Sequence, residues 1–426
     1  MDGASRWGRL LPLAGKSLCC ILAVAVAAVA IVYGLKENAS LTQGNGFKVP
    51  TSLAATNVLI TGASSGIGYS TAVLMCSMSA NLILHGPSEQ RTRRAVQELH
   101  KAQPNTCDAA ATVAELDDYK QVHGMAAHVR SIFPQVHVLL LNAGLHYGGP
   151  PGNDEKGLYQ KKRLLAHDPS YFVSKHGQDR AMAVNHFGHF LLTALLMPIL
   201  APDVRIVLLT GGGMWAGDWR HLVTPYRIPW ESFRLRAHMA YFDSKLANVC
   251  MGRELRKRLP KATVVVNDPG LITTGMTLSR DMTTYSQRRF GAVKEKEHWF
   301  KWSMPAGDAA ERLLQSTYVT KPVPDLVYSY WLPQELMTWV QNHALIPRGY
   351  YRRSKWLDFF LNRQLLTFGP LYAGIGPGCG DENFMDFHWN FTLTQTGLAG
   401  PAMHQSVETY RRTHLAGTPE IPELRR

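Results

Sequence analysis

A glycine-rich segment at residues 61–68, Thr-Gly-Ala-Ser-Ser-Gly-Ile-Gly, constrains the fold of this chain more than any other stretch. It follows the apolar run at 58–60 and precedes a helix-like stretch, and its glycines are spaced Gly-x-x-x-Gly-x-Gly. A turn of this kind between a buried strand and a helix lets backbone N–H groups and the N-terminus of the helix face a pyrophosphate. The segment therefore predicts a dinucleotide-binding turn. Its predicted coenzyme-binding residues are Gly62, Ser64, Ser65, Gly66, Ile67 and Gly68.

The stretches after this turn alternate between short apolar runs and helix-like segments, which is typical of βαβ units and a parallel sheet. The predicted strands lie near 57–60, 82–84, 110–113, 136–141, 204–209 and 264–266. The predicted helices follow residue 66 and cover 88–102, 117–132, 181–200 and a stretch through Tyr241 to about 259, with a loop insertion at 147–176. We therefore predict an α/β fold, a doubly wound parallel sheet of the Rossmann type, over residues 56–330.

Residues 17–35 carry no charged side chain and are long enough to reach across a bilayer core. The basic tail at 1–16 precedes them, and a polar linker at 36–55 follows. The basic flank predicts a single-pass N-terminal transmembrane anchor with its N-terminus in the cytosol and the remaining chain across the membrane. We favour the endoplasmic reticulum, with a mitochondrial membrane as the alternative. A cleaved signal peptide and a mitochondrial presequence are competing interpretations of the apolar run.

The net charge of +13 is not concentrated in one block, and no zinc-ligand spacing or nucleic-acid-binding motif accompanies it. An anionic membrane surface or coenzyme phosphates explain this charge, so we expect no nucleic-acid partner. Residues 331–426 form a C-terminal extension rich in aromatic and basic residues. Its 339–372 stretch is predicted to lie on a membrane, to cover an apolar substrate, or to pack on the domain.

The six cysteines have no regular spacing that indicates a disulfide framework or a metal cluster. We therefore expect ordinary buried or unpaired thiols and no metal site. Two tripeptides, starting at Asn38 and Asn390, match the N-glycosylation acceptor pattern, which matters only if the domain is lumenal.

Tyr241 and Lys245 lie four residues apart, so on a helix they point in the same direction, one turn from each other. A free phenol titrates near ~10, and an ammonium group close to it favours the phenolate. The pair therefore predicts a site that manages a proton beside a dinucleotide. Two more motifs follow predicted strands: Asn142-Ala143-Gly144, and Pro269-Gly270 with Thr273 beyond it.

In this order and spacing, the motifs resemble the short-chain dehydrogenase/reductase family over about residues 56–330. Residues 185–192 and 244–248 are similar to retinol dehydrogenases, and residues 240–245 and 269–275 to light-dependent protochlorophyllide reductases. Leu271 stands where those photoreductases carry a cysteine, which argues against photochemical reduction.

The resemblance implies a role for each matched residue. Tyr241 would give its proton to the carbonyl oxygen as a hydride reaches the carbon, and Lys245 would lower the pKa of the phenol and hold the nicotinamide ribose. Asn185 would anchor a water that restores the proton. The remaining coenzyme contacts would come from Asn142, Ala143 and Gly144 beneath the adenine ribose and from Pro269, Gly270 and Thr273 over the nicotinamide amide.

One position departs from the family pattern. The family places a serine at the end of the strand before the tyrosine helix, where it donates to the substrate oxygen, and that position aligns with Gly211. Thr210 is the adjacent hydroxyl and is our fourth predicted catalytic residue. Loss of such a donor lowers the rate by a factor on the order of 10²–10³. Three alternatives stay open: Thr210 turns inward, another group replaces the donor, or the enzyme is slow or inactive.

The segment after the second predicted strand, His85-Gly86-Pro87-Ser88, has no acidic residue for the ribose 2′-hydroxyl, and Arg91, Arg93 and Arg94 follow it. This favours NADP over NAD. We predict a membrane-anchored oxidoreductase acting on an apolar carbonyl or alcohol of the retinoid, steroid or lipid-aldehyde class. The alternative is a catalytically weakened homologue that serves as a coenzyme-binding scaffold or a subunit of a membrane assembly; an oligomer is compatible with either.

Overall fold

A seven-stranded parallel sheet forms the centre of the chain. The computed structural model describes residues 48–146, 173–211, 214, 217–223, 230–270, 272–273, 304–319, 327–329 and 379–398. The strands of the sheet are β1 (Asn57–Ile60), β2 (Asn81–Gly86), β3 (Ala109–Val113), β4 (Val136–Leu141), β5 (Leu200–Leu209), β6 (Thr263–Asp268) and β9 (Val327–Ser329). Their order is β3-β2-β1-β4-β5-β6-β9, with parallel pairing throughout. A separate parallel pair joins β7 (Ile272–Thr273) to β8 (Met304–Pro305).

Helices cover both faces of the sheet. They are α1 (Gly66–Ser77), α2 (Glu89–Ala102), α3 (Tyr119–Ile132), α4 (180–196), α5 (Trp230–Arg258), α6 (Ala306–Thr317) and α7 (Glu382–Gln395). Side chains of α1, α2 and α6 form one buried layer against the sheet, and those of α3, α4, α5 and α7 form the other. This arrangement confirms the predicted doubly wound α/β fold. It also explains why β1 has no polar alternation, since a strand covered on both faces is apolar on both.

α4 is a helical segment built in three parts: Arg180–Met182, a π-helical turn at Ala183–Phe187, and Gly188–Leu196. Among the described residues, the stretch Arg180–Ile199 that contains it is the one helix long and apolar enough to cross a membrane by length and composition. However, 67% of its most apolar window is buried inside the domain, as expected for a core helix. The predicted anchor at 17–35 and the 339–372 stretch lie outside the described residues, and the predicted domain boundaries stay predictions.

The cysteine prediction is wrong for four of the six cysteines. Cys76 is bonded to Cys107, and Cys250 is bonded to Cys379, with Cα–Cα distances of 5.1 and 5.0 Å. The partners are 31 and 129 residues apart, so only the folded chain brings them together. No local spacing rule could have found either pair.

α7 shows that part of the C-terminal extension belongs to the core of the domain. Its Phe384 and Phe391 are each 2% exposed, and they join the buried layer beside α5. At its N-terminus, Glu382 accepts from Arg253 of α5 at 2.9 Å and also pairs with Lys257. The second disulfide lies directly before α7 and links it covalently to α5.

Candidate active site

The glycine-rich turn lies between β1 and α1, next to β4. This is the point of the sheet where the strand order reverses and where doubly wound folds bind their ligands. Gly62 has a φ of +67°, and a Cβ on it would lie 2.7 Å from the Cα of Ala143. A Cβ on Gly68 would lie 2.5 Å from the Asn142 side chain. Only glycine fits these two places, because the two loops approach each other so closely.

The N-terminus of α1 is open to an anion. Ser65 caps the helix but makes no side-chain capping hydrogen bond, and the first turn of α1 contains no acidic residue. The first N–H groups of a helix carry partial positive charge and bind phosphate. The close-packed glycines and the start of α1 together form a cradle. This cradle fits the pyrophosphate of a dinucleotide, as the sequence predicts. Ser64, Gly66 and Ile67 lie in the same turn.

Asn142 and Ala143, directly after β4, are held by Thr61 at the end of β1. The Thr61 hydroxyl accepts from the backbone N–H groups of Asn142 and Ala143, both at 2.9 Å. In return, Asn142 Nδ2 donates to the carbonyl oxygens of Thr61 at 2.8 Å and Gly62 at 3.2 Å. These bonds place Asn142 and Ala143 beside the glycine-rich turn, and the predicted contact of residues 142–144 with the adenine ribose stays a prediction.

Two buried histidines, His189 and His85, form hydrogen bonds to Thr61 and Gly62 and so stabilise the glycine-rich turn. His189 Nδ1 donates to the Asn185 carbonyl at 3.0 Å, and His189 Nε2 accepts from the Thr61 hydroxyl at 2.9 Å. His85 Nε2 donates to the Ala114 carbonyl at 2.9 Å, which leaves its Nδ1 to accept from the Gly62 N–H at 3.3 Å. Burial lowers the pKa of His189 to about 3 and that of His85 to about 4, so both are neutral at physiological pH.

Tyr241 and Lys245 lie on α5 and face the same region, as their spacing predicts. Lys245 Nζ is 5.5 Å from the centre of the Tyr241 ring and donates to the Leu209 carbonyl at 3.3 Å. The Lys245 side chain is buried, whereas Tyr241 is half-buried. Lys245 is therefore the more deeply buried residue of the pair.

The expected lowering of the Tyr241 pKa by Lys245 is not what the structure gives. Burial raises the pKa of Tyr241, and the nearby Asp268 carboxylate raises it further. Burial lowers the pKa of Lys245 to about 8, although Asp268 opposes that change. Desolvation of the site therefore outweighs the attraction between phenolate and ammonium. Tyr241 holds its proton at neutral pH, which is the state required of a proton donor.

Asn185 lies in the π-helical turn of α4, and its side chain fixes the segment after β4. Its Oδ1 accepts from the Leu145 N–H at 2.6 Å, and its Nδ2 donates to the Leu145 carbonyl at 2.9 Å and to Ser244 Oγ at 2.9 Å. Ser244 Oγ in turn donates to the Tyr241 carbonyl at 2.7 Å. Asn185 thus ties Leu145 to the tyrosine helix, and its predicted role as a water anchor stays a prediction.

Gly211 lies at the position predicted for the missing serine. A Cβ on Gly211 would be 3.6 Å from the Tyr241 hydroxyl oxygen. The prediction that Thr210 could supply the hydroxyl instead is wrong in this structure. The Thr210 hydroxyl donates to the Lys245 carbonyl at 2.7 Å and lies 3.4 Å from Met214 Sδ, because alternation along β5 turns it away from Gly211.

The remaining predicted coenzyme contacts follow β6. Pro269 is buried directly after the strand, and the Gly270 N–H donates to Asp268 Oδ1 at 3.0 Å. Thr273 lies in the short strand β7, with its backbone paired to Pro305. The end of β6 is beside the end of β5 in the sheet, so this segment and Gly211 share one edge.

Two of the three arginines after β2 are already paired. Arg93 binds Glu89 at 2.9 Å, and Arg94 binds Glu98 at 2.7 Å, along the exposed face of α2. Arg91 is exposed on the first turn of α2, and its backbone N–H donates to the Ser88 capping hydroxyl at 3.4 Å. Arg91 is therefore the arginine best placed for a charge near the end of β2.

Sequence reasoning missed three histidines, His85, His146 and His189. The imidazole of His146 packs edge to face on Tyr241, with ring centres 4.3 Å apart and planes at 81°. His146 follows Leu145, the residue that Asn185 clamps. His85 could have been found as a polar residue inside an apolar strand, and His189 by its spacing of four residues from Asn185. For His146 only its place four residues after Asn142 could have drawn attention.

Comparisons with known proteins agree with this geometry. A family model described as short chain dehydrogenase matches residues 56–210. The chain is 30% identical over 237 residues to retinol dehydrogenase 14 of Mus musculus, covering 51% of this chain and 62% of that protein. It is 28% identical over 243 residues to retinol dehydrogenase 13 of Homo sapiens, covering 55% and 65%. It is 29% identical over 219 residues to the short chain dehydrogenase/reductase dpchH of Colletotrichum higginsianum, covering 47% and 49%. The matches thus span about half to two thirds of these relatives.

Solved structures are similar at lower identity. The oxidoreductase yciK from E. coli superposes with a TM-score of 0.46 at 18% identity, covering 67% of this chain and 99% of that one. The 3-ketoacyl-(acyl-carrier-protein) reductase from Brucella melitensis, complexed with NADH, gives a TM-score of 0.45 at 20% identity, covering 65% and 97%. The sheet order described above, and not these scores, carries the assignment of the fold.

Proposed function

The chain belongs to the short-chain dehydrogenase/reductase family, and we propose that it transfers a hydride between NADP(H) and an apolar carbonyl or alcohol. The observation that carries the proposal is the position of Tyr241 and Lys245 at the edge of the sheet where the glycine-rich turn offers a phosphate cradle. Retinol dehydrogenase relatives and the predicted anchor at 17–35 support a substrate of the retinoid, steroid or lipid-aldehyde class.

The coenzyme, when bound, supplies or accepts the hydride. The chain would hold its pyrophosphate at the glycine-rich turn and the start of α1, and its adenosine beside Asn142 and Ala143. Tyr241 then gives its proton to the substrate oxygen in reduction and takes it back in oxidation. Tyr241 is protonated at neutral pH, as a proton donor must be, but its raised pKa makes the loss of that proton harder. Lys245 lies near the phenol as a charge that stabilises the phenolate left after transfer.

NADP is the coenzyme that we propose, with NAD as the alternative. The end of β2 offers no carboxylate to bind a ribose 2′-hydroxyl, and a 2′-phosphate there would meet the positive charge of Arg91. Arg93 and Arg94 are less suited to this role because each already pairs with a glutamate.

The two disulfides support a position of the domain in an oxidising compartment. The predicted anchor, with its cytosolic N-terminus, would place the domain in the lumen of the endoplasmic reticulum. The partners in this proposal are the membrane and an apolar small molecule, without nucleic acid; an oligomer is compatible with it.

Tyr241→Phe tests the mechanism. We expect it to lower turnover by a factor on the order of 10²–10⁴ while NADPH affinity, measured by tryptophan fluorescence, changes less than twofold. Tyr318→Phe is the matched control, because the Tyr318 hydroxyl is buried directly after α6 without a hydrogen-bond partner among the described residues. Unchanged turnover in Tyr241→Phe would refute the mechanism. The comparisons do not favour the alternative of a scaffold without turnover; NADPH binding without any carbonyl reduction would revive it.

A further inference from the structure

We propose that His146 donates a hydrogen bond to the reacting oxygen of the substrate, in place of the side chain that Gly211 lacks. The proposal rests on the proposed hydride transfer at Tyr241, and it adds a catalytic residue specific to this chain.

The first argument is the space beside the Tyr241 hydroxyl. A Cβ on Gly211 would lie 3.6 Å from that oxygen, and no other non-neighbouring heavy atom among the described residues would come within 4 Å of it. Thr210, the nearest hydroxyl in sequence, is bonded to the Lys245 carbonyl. Within the described part of the chain, β5 therefore brings no side-chain donor to the substrate oxygen, although the proton donor itself is in place.

The second argument is the position of His146. Its ring meets Tyr241 edge to face with centres 4.3 Å apart, which brings the imidazole into the region around the phenol. It lies beyond the end of β4, at the same edge of the sheet as Gly211 after β5, since β4 and β5 are neighbours. A donor on the β4 side can therefore reach an oxygen that the β5 side leaves open.

The third argument is that the backbone before His146 is fixed to the catalytic helix. Both the N–H and the carbonyl of Leu145 bond to the Asn185 side chain, at 2.6 and 2.9 Å. Asn185 also bonds to Ser244, whose hydroxyl donates to the Tyr241 carbonyl. A donor contributes to catalysis only if its geometry is set in advance, and this chain of bonds sets it.

Tyr241 and His146 act on the same substrate oxygen in different ways. In reduction, the hydride from the reduced coenzyme forms the new C–H bond, the C=O π pair moves to oxygen, and the Tyr241 proton forms the O–H bond. The carbonyl is reduced and the coenzyme oxidised, and the Tyr241 phenolate regains a proton from solvent. His146 transfers nothing; its N–H stabilises the negative charge on the oxygen before the proton arrives.

The test is a double-mutant cycle between His146→Ala and Gly211→Ser on the full chain. We expect His146→Ala to lower kcat by a factor on the order of 10², with NADPH affinity unchanged within twofold. His146→Gln, which keeps an N–H donor, should retain more activity than His146→Ala. Adding Gly211→Ser to His146→Ala should restore kcat at least tenfold more than the same change does in the wild type. His128→Ala, an exposed histidine on α3, is the control.

A binding measurement separates this proposal from the proposed function. A saturated fatty amide presents a carbonyl oxygen that does not undergo reduction, and its affinity for the NADPH complex can be followed by fluorescence. We expect His146→Ala to weaken amide binding about tenfold and Gly211→Ser to restore it, whether or not the wild type turns over. Amide binding that is absent or independent of His146, a kcat for His146→Ala within twofold of wild type, or equal effects of Gly211→Ser in both backgrounds would each overturn the proposal.

Discussion

Burial lowers the pKa of Lys245 to about 8, below the value near ~10.4 that a lysine has in water. The folded state therefore binds this proton less tightly than the unfolded state does. The resulting cost to folding is fully present below pH 8, shrinks between pH 8 and about 10.4, and is absent above that range. A shift of this size corresponds to about 3 kcal/mol.

Lys245→Met should remove that cost. We expect the variant to unfold with a free energy about 1–3 kcal/mol higher than wild type at pH 7, with the difference shrinking toward pH 10. Urea denaturation at pH 7, 8.5 and 10 measures it, and turnover should be lost at every pH. A difference between the two proteins that does not vary with pH would contradict the buried-ammonium explanation.

At the residue scale, the sequence was informative where chemistry requires a fixed spacing. Tyr241, Lys245 and the glycines of the turn follow from such spacings. The pKa of Tyr241 did not, because it depends on how much water the fold removes and on Asp268, which is 27 residues away in sequence but close in space. His146 was not predicted for the same reason, because the Tyr241 ring that it contacts lies on another element.

At the scale of elements, His189 joins three of them. It bonds Thr61 at the end of β1 and Asn185 in α4, and Thr61 in turn holds the N–H groups after β4. Removing this buried histidine takes one hydrogen bond from each of two buried polar groups, at a cost of about 0.5–1.5 kcal/mol each, and leaves a cavity. The same change loosens the loop that would lie beneath the adenosine.

His189→Ala should therefore lower both stability and coenzyme affinity. We expect a loss of about 2–4 kcal/mol in the free energy of unfolding and a weakening of NADPH binding by at least tenfold. The matched control is His388→Leu on α7, an equally buried histidine that does not contact the turn. A fall in stability without any change in NADPH affinity would show that His189 is only a core residue.

The Cys250–Cys379 bond holds α7 against α5, and the Cys76–Cys107 bond closes a shorter loop. Loop-closure entropy grows with the logarithm of loop length, so the longer loop gains more from its crosslink. We expect the double serine variant at Cys250 and Cys379 to lose about 1 kcal/mol more than that at Cys76 and Cys107. Equilibrium denaturation of both variants measures this, and the reverse order would mean that native packing, and not loop entropy, decides the effect.

Elements with a long periodic pattern were predictable, and short or composite ones were not. The helices at 88–102 and 117–132 match α2 and α3 to within two residues. β9 is three residues long, too short to show a period. The π-helical turn in α4 could not be predicted either. The apolar pattern of the sequence continues through Ala183–Phe187, and only the backbone hydrogen bonding changes there.

At the scale of the whole molecule, one structural observation and one prediction from the sequence concern the same compartment. The disulfides depend on the folded core, whereas the predicted orientation depends on basic residues before the apolar run at 17–35. Disulfides persist in oxidising compartments and are rare in the cytosol. Basic residues before an apolar span keep that end in the cytosol, which sends the rest across. Both therefore support the proposal that the domain lies on the lumenal side.

Sealed microsomes that contain the full chain test this placement. We expect the domain to resist added protease until detergent opens the vesicles, and Cys76, Cys107, Cys250 and Cys379 to react with a maleimide only after reduction. A variant without residues 1–45 is the control, because its four cysteines would meet the reducing cytosol and should react without reductant. Digestion in sealed vesicles, together with free thiols at these four positions, would place the domain in the cytosol. The coenzyme site would then draw on the cytosolic NADPH pool, and stability would rest on packing alone.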